Sequence, residues 1–247
     1  MPLIIPATQT LADTGYSIDN SCRFNDGDSA YLTRTPGSTG DQTEFTFSFW
    51  MKAGTLPIGT ADLPRSIFST NTGGSYEFLI RYGDNASGIT DNNVLEVLFP
   101  NASNSNQYLK CSRVLRDPSA WYHIVVAVDT SQGTDSNKMK LYINGDVETA
   151  FITDNRSAIA SSQPVSNTIA HEIGRFARVT GQFFDGYLAE FHFIDGTQKD
   201  ADDFGEEDET YGHWKPKEYT GSHGTQGYYL DFSNTNSIHT ITANGNT

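Results

Sequence analysis

Residues 121–147, WYHIVVAVDTSQGTDSNKMKLYINGDV, constrain the fold more tightly than any other stretch of the chain. Tyr122, Ile124, Val126 and Val128 alternate with Trp121, His123, Val125 and Ala127, so the first run is apolar on both faces. Such a strand is covered on both sides, which places it at the centre of a sheet. Residues 129–137 are polar and let the chain reverse. In the return strand Met139, Leu141 and Ile143 share one face, and Lys138, Lys140 and Tyr142 share the other. Asn144-Gly145 follows, a pair that tolerates positive φ at both positions and closes a tight hairpin. Residues 147–152 are expected as the outgoing strand. The product is an antiparallel meander with one dry face, the seed of a two-sheet sandwich.

The flanking segments carry the same pattern. Residues 22–33, CRFNDGDSAYLT, read as strand, turn, strand, with Asn25-Asp26-Gly27-Asp28 at the turn. In residues 44–52, Phe45, Phe47, Phe49 and Met51 point inward; Thr46, Ser48 and Lys52 point outward, with Trp50 among them. Each of the three phenylalanines contributes about 1.5–3 kcal/mol on full burial. Further strands are expected over 65–69, 76–82, 94–99, 107–114 and 168–176, with Tyr76, Phe78, Ile80 and Tyr82 sharing a face. Residues 183–193, FFDGYLAEFHF, predict a strand with Tyr187, Ala189, Phe191 and Phe193 on one face and Leu188, Glu190, His192 and Ile194 on the other. Residues 200–204 are the best place for one helical turn, and no repeat of 20–50 residues is present. The fold class expected is all-β: a two-sheet antiparallel jelly-roll sandwich over residues 16–195. Residues 1–15 form an arm or lead-in. Residues 196–247 form an acidic loop and a C-terminal tail and strand packed on the sandwich.

A chain of 247 residues is long enough to bury a core without a staple. Its net charge of −14 repels phosphate backbones and anionic membranes, which argues against nucleic-acid binding. Cys22 and Cys111 are too few for a disulfide framework, although the two would pair if adjacent in space. The apolar patch at residues 3–5 lacks the basic flank and length of a signal peptide, and no run approaches the ~20 apolar residues of a membrane helix. Asn85, Asn101 and Asn155 head glycosylation-type triplets, read as chance matches in an Asn-rich chain.

No catalytic set emerges. Retaining jelly-roll glycosidases need two carboxylates about 5–5.5 Å apart. The nearest approach is Glu190-Phe191-His192-Phe193-Ile194-Asp195, which places His192 where a middle Asp belongs and puts Asp195 in a turn. Glu190 reads as a strand residue and Asp195 as a turn cap. There is no Gly-x-Ser-x-Gly motif. His123 reads as a packed, hydrogen-bonded strand residue; His171, His192, His213, His223 and His239 are scattered without metal-ligand spacing. No cofactor is implied. The carboxylates of residues 25–28 and of the acidic run 200–209 could attract Ca²⁺, but the full ligand pattern is absent and both read as solvated. Sugar binding needs aromatic faces beside Asn, Asp or Gln partners. Two stretches meet this: Tyr82-Gly83-Asp84-Asn85, and residues 213–229 with Trp214, Tyr219, His223 and Tyr228. The competing reading has Trp214 and Tyr219 anchoring the tail.

The motif Trp121-x-His123, with Val125, Asp129, Lys140, Tyr142, Asn144 and Gly145, resembles the laminin-G-like and pentraxin-like branch of the concanavalin A-like jelly rolls. A second set resembles the laminin-G-like domains of phage tail-fibre and receptor-binding proteins. It comprises Ala189-Glu190, Phe193-Ile194-Asp195-Gly196, Phe204-Gly205-Glu206, Gly212, Trp214-x-Pro216-Lys217, Tyr219-Thr220-Gly221, Gly224, Gly227 and Leu230-Asp231-Phe232. Residues 24–29, Tyr31-Leu32, Arg34-Thr35-Pro36 and 171–174 fit the same family. The resemblance implies a non-enzymatic phage virion protein, made in the host cytoplasm, that recognises a cell-surface glycan or another virion subunit. It also implies a homo-oligomer, a trimer if the chain is a fibre. A capsid-decorating or fibre-spacer subunit without a ligand, and a glycan-cleaving enzyme, are the alternatives.

Overall fold

The computed structural model describes residues 15–56, 64–74, 77–83, 93–176, 178–179 and 182–233. Its architecture grows outward from the phenylalanine-rich strand. That strand, β3 (Glu44–Ala53), lies between β8 (Tyr122–Asp129) and β13 (Gly186–Asp195), antiparallel to both. β9 (Met139–Ile143) and the two-residue β10 (Asp146–Val147) extend the sheet beyond β8. The far edge of β13 is shared: β1 (Cys22–Phe24) pairs with its first half and β16 (Tyr228–Leu230) with its second. The opposing sheet runs β11 (Phe151–Asp154), β7 (Asn106–Val114), β6 (Val94–Pro100), β5 (Leu79–Tyr82), β4 (Arg65–Asn71), β12 (Ala170–Ile173), β2 (Leu32–Arg34). β14 (Gly205–Glu207) and β15 (Trp214–Pro216) make a separate hairpin.

The sandwich core is aromatic. Phe45, Phe47, Phe49, Phe68, Phe78, Phe191 and Phe193 are all fully buried between the sheets. Phe47 sits at the centre, stacked on Phe193 at 4.7 Å and tilted against Phe68 at 4.3 Å. The Asn144-Gly145 turn forms as expected, with φ of 51° and 84°, as does the helical turn over Ala201–Asp203, closed by a reciprocal Asp200–Asp203 capping box. A short helical turn, Asp135–Lys138, also forms in the reversing segment read only as polar. Both cysteines are free thiols. No helix among the described residues is long and apolar enough to cross a membrane.

Two expectations need correction, over residues 147–152 and in β13. The outgoing strand over 147–152 does not form as one piece: it leaves the first sheet after Val147 and re-enters as β11 beside β7 of the other sheet. An ion pair between Glu148 and Arg113 of β7, at 2.7 Å, accompanies that crossing. The strand, turn and strand read over residues 22–33 do form, and the turn joins strands of different sheets. In β13 the predicted alternation breaks at Glu190, whose φ is +47°. Pairing with β3 passes from Ala189–Trp50 to His192–Ser48, so two residues oppose one and a bulge results. Leu188 therefore shares the core with Phe191 and Phe193, while Tyr187 lies outside the core. The outward-pointing residues of β3 are buried as well. Thr46, Ser48 and Trp50 are 0%, 1% and 8% exposed.

Candidate functional site

The C-terminal segment covers that outer face, and Trp214 is its principal anchor. The indole stacks on His123 at 6.0 Å, and His123 stacks in turn on Trp50 at 5.0 Å. Trp214 Nε1 donates to His123 Nδ1 at 3.0 Å. An indole can only donate, so Nδ1 is unprotonated and Nε2–H faces Ser48 Oγ at 2.9 Å. Burial, and then the charge of His192, push the His123 pKa down to about 3 and keep the ring neutral. The indole is seated between two glycines. A Cβ on Gly145 would come within 2.4 Å of the ring and one on Gly205 within 2.5 Å. The Asn-Gly turn is therefore a seat as well as a hairpin. Phe204 and Tyr219, stacked at 4.8 Å, continue the cover over Val125, Ala127, Tyr142 and Ile194. The acidic run is accordingly tethered: Asp200 accepts from the Tyr142 hydroxyl, and Lys199 and Lys215 pair with Asp203 and Asp208.

A second arrangement gathers both flanks of the chain on the Glu190 bulge. The Glu190 carboxylate accepts hydrogen bonds from Tyr16, at 2.7 Å, and from Tyr229. Burial raises the Glu190 pKa, but hydrogen bonds from His192, Tyr229 and Tyr16 outweigh it and hold the group below its ordinary value. Burial raises Tyr16 to about 12. His192 stacks on Tyr229 at 4.4 Å, and its Nδ1 meets His223 Nε2 at 3.1 Å. The histidines read as scattered thus include one pair brought together by the fold. Burial pushes both below the ordinary imidazole value, His223 to about 4. Among the described residues no group of three or more His, Cys, Asp or Glu is arranged to hold a metal ion.

These anchors frame an open cleft of about 290 Å³, lined by Ile18, Asp19, Asn20, Ser21, Trp50, Trp121, Ala189 and Pro216. Trp50 and Ala189 are cross-strand partners and form its floor. The Tyr16 clasp and β1 position the polar wall, Asp19-Asn20-Ser21. β15 carries Pro216 two residues beyond the seated Trp214. Trp121 is 37% exposed and meets the equally exposed Tyr187 edge-to-face at 6.4 Å. The Arg23 guanidinium lies 5.3 Å from the Tyr187 ring centre. Aromatic faces beside carboxylate, amide and hydroxyl groups are the equipment for holding a sugar ring.

The candidates drawn from the sequence fall elsewhere. Tyr82 is 1% exposed, with its hydroxyl donating to the Leu115 carbonyl at 2.6 Å, and presents no ring to a ligand. Tyr228 is 3% exposed and belongs to the core, stacked on Phe191. Asp84 and Asn85 lie outside the described residues. Trp214, Tyr219 and His223 do come together on one face, but as half-buried anchors of the tail. Asp195 accepts from Asp41 N, Ser166 Oγ and Gln226 N and ties three segments together. Reading the sequence missed Trp50 and Trp121 as site residues. The available signal was a tryptophan on the polar side of a strand whose other side is phenylalanine.

Comparison with known proteins agrees with this architecture. No curated protein sequence matches the chain. A Bacteroides ovatus protein assigned to carbohydrate binding superposes with a TM-score of 0.52 at 21% identity, over 72% of this chain and 44% of that one. The heptameric SAP-like pentraxin of Limulus polyphemus gives 0.45 at 16% identity, over 75% of each chain. The enzymatically active domain of tailspike protein 2 from bacteriophage CBA120 gives 0.46 at 10% identity, over 70% of this chain and 25% of that one. Residues 25–202, well over half of the chain, match a laminin-G-type family. The chain belongs to the concanavalin A-like lectin/glucanases superfamily.

Proposed function

We propose that this chain is the glycan-recognition module of a phage virion, in a tail fibre or receptor-binding protein, and that the Trp50–Trp121 cleft receives a sugar of the host surface. The cleft carries the reading: two indoles, one an accessible platform, stand beside Asp19, Asn20 and Ser21. The resemblance of residues 183–232 to phage fibre domains supplies the biological setting, and a homotrimer is the assembly expected of a fibre. A binding role is favoured over hydrolysis because Asp195, the partner a Glu190 acid would need, has both carboxylate oxygens engaged by Asp41, Ser166 and Gln226.

Binding of the purified chain to a glycan array and to whole host cells, with its mass in solution, tests the proposal. Saturable binding lost in Trp121→Ala, with an unchanged unfolding midpoint, supports it. Undiminished binding by Trp121→Ala places recognition elsewhere. The packing of Trp214 between Gly145 and Gly205 favours a second reading, a structural decoration or spacer subunit, because the aromatic residues first expected to bind sugar serve the fold instead. A well-folded oligomer that binds no glycan and no cell supports that reading.

A further inference from the structure

The cleft is small, apolar at its base and acidic on one wall. Its 290 Å³ falls just below the usual range for small-molecule sites, about 300–1,000 Å³, and suits one ring and a substituent rather than a length of polysaccharide. The base is Trp50, 8% exposed, and Ala189, 2% exposed, with Ile18 and Pro216 as neighbours. Ala189 is the smallest side chain of that base. The four side chains of that base have no acceptor, and the one donor, the Trp50 indole N–H, is the only polar group among them. A sugar hydroxyl turned into it gives up water for little return, whereas a methyl group gains by burial. The side-chain acceptors stand on the opposite wall, Asp19-Asn20-Ser21. Among the described residues, Asp19 is the only charged one lining the cleft, and the whole chain carries −14. Beneath Trp50 lies His123, held neutral by burial.

We propose that the cleft is selective for a single neutral pyranose bearing a methyl group, as an acetamido or a 6-deoxy substituent, and rejects acidic sugars. The inference rests on the glycan reading above and names its ligand class. The ring stacks on Trp121, its hydroxyls donate to Asp19 and exchange hydrogen bonds with Asn20 and Ser21, and the methyl packs against the apolar base of Ile18, Trp50, Ala189 and Pro216. One buried methyl is worth about a fourfold gain in affinity over the sugar lacking it.

Titration of the intrinsic tryptophan fluorescence with methyl glycosides of N-acetylglucosamine, rhamnose, glucose and glucuronic acid tests this. The expected result is saturation by N-acetylglucosamine or by rhamnose, at least about fourfold tighter than by glucose, with glucuronate weakest. Whichever of the first two binds tighter identifies the acetamido or the 6-deoxy source. Asp19→Asn is expected to narrow the gap to glucuronate. Ala189→Leu is expected to abolish binding of the methyl-bearing sugar. Should Ala189→Leu fail to fold, Ile18→Ser, at the half-buried edge of the base, is expected to erase the preference over glucose while binding persists. Glucuronate binding as tightly as the neutral sugars, glucose binding tightest, or no saturation by any of the four overturns the proposal. Binding that ignores these substituents but vanishes in Trp121→Ala overturns the ligand class and leaves the glycan reading standing.

Discussion

On its inner face β3 offers Phe45, Phe47 and Phe49 to the second sheet; on its outer face it offers Thr46, Ser48 and Trp50 to the C-terminal tail. Both faces are dry, but they are dry for different reasons. Inside, phenylalanines from both sheets interlock through non-directional burial, which depends on volume and packing. Outside, specific partners do the work: an indole donor on an imidazole, two glycines that leave room for a ring, and a carboxylate that receives two tyrosines. The inner face holds the sandwich together. The outer face shapes the cleft, because its cover must be positioned as well as buried. Family-matched residues 25–202 provide the floor, but the walls come from residues 18–21 and 216 on either side.

The contrast is open to direct attack. The largest effect is expected from Phe47→Ala, at the centre of the inner cluster, with a loss of about 3–5 kcal/mol in urea unfolding. Trp214→Ala is expected to cost less, about 2–3 kcal/mol, because the ring is half-exposed. Its signature is regional: amides of residues 205–230 should exchange much faster than those of β3 and β8. Uniform loss of protection would mean that the two faces are not separable.

Acid sets one histidine from each face against the other. His123 lies on the outer face, and His171 packs against Phe68 and Phe193 on the inner one. Burial pushes both down to about 3, from the 6.5 of a free imidazole. Below 6.5 the unfolded chain takes up protons that the folded chain refuses. Stability is therefore fully present above 6.5 and is lost progressively as pH falls toward 3, by up to about 1.4 kcal/mol per pH unit for each ring. At pH 5, His171→Leu is expected to recover about 2 kcal/mol relative to its own effect at pH 7. Equal pH dependence in variant and parent would refute the assignment of a neutral buried ring.

Glu190→Gln keeps the volume and removes the charge that holds Tyr16 and Tyr229. The expected loss is about 1–2 kcal/mol, together with weaker glycan binding, because the strap carrying Asp19 loses its clasp. Stability lost without any change in affinity would separate the clasp from the cleft. The smallest stability effect belongs to Trp121→Ala, within about 0.5 kcal/mol, since the residue is exposed and at the end of a strand.

Much of the inner face was legible in advance. The alternation in residues 44–52, the doubly apolar run 122–128 and the Asn144-Gly145 turn each carry a local signal, and each formed as read. The outer face was less legible because its partners are distant in the chain: His123 and Trp214 are separated by 91 residues, Tyr16 and Glu190 by 174. Tyr82 and Trp214 looked like ligand residues because a sequence shows an aromatic beside polar neighbours but not which side is covered. The Glu190 bulge left no mark, since one residue with positive φ in a regular-looking strand is decided by its partners.

By itself, the sequence determined the inner face of β3, the central strand β8, the Asn144-Gly145 turn and the two-sheet architecture, because strand periodicity and turn chemistry act over a few residues and need no knowledge of the rest of the chain. Only the tertiary structure decided where the chain crosses between sheets, which aromatic rings are sealed and which remain open, and that a cleft exists between Trp50 and Trp121. Those outcomes depend on which distant segments meet, and burial is a property of the meeting rather than of either segment.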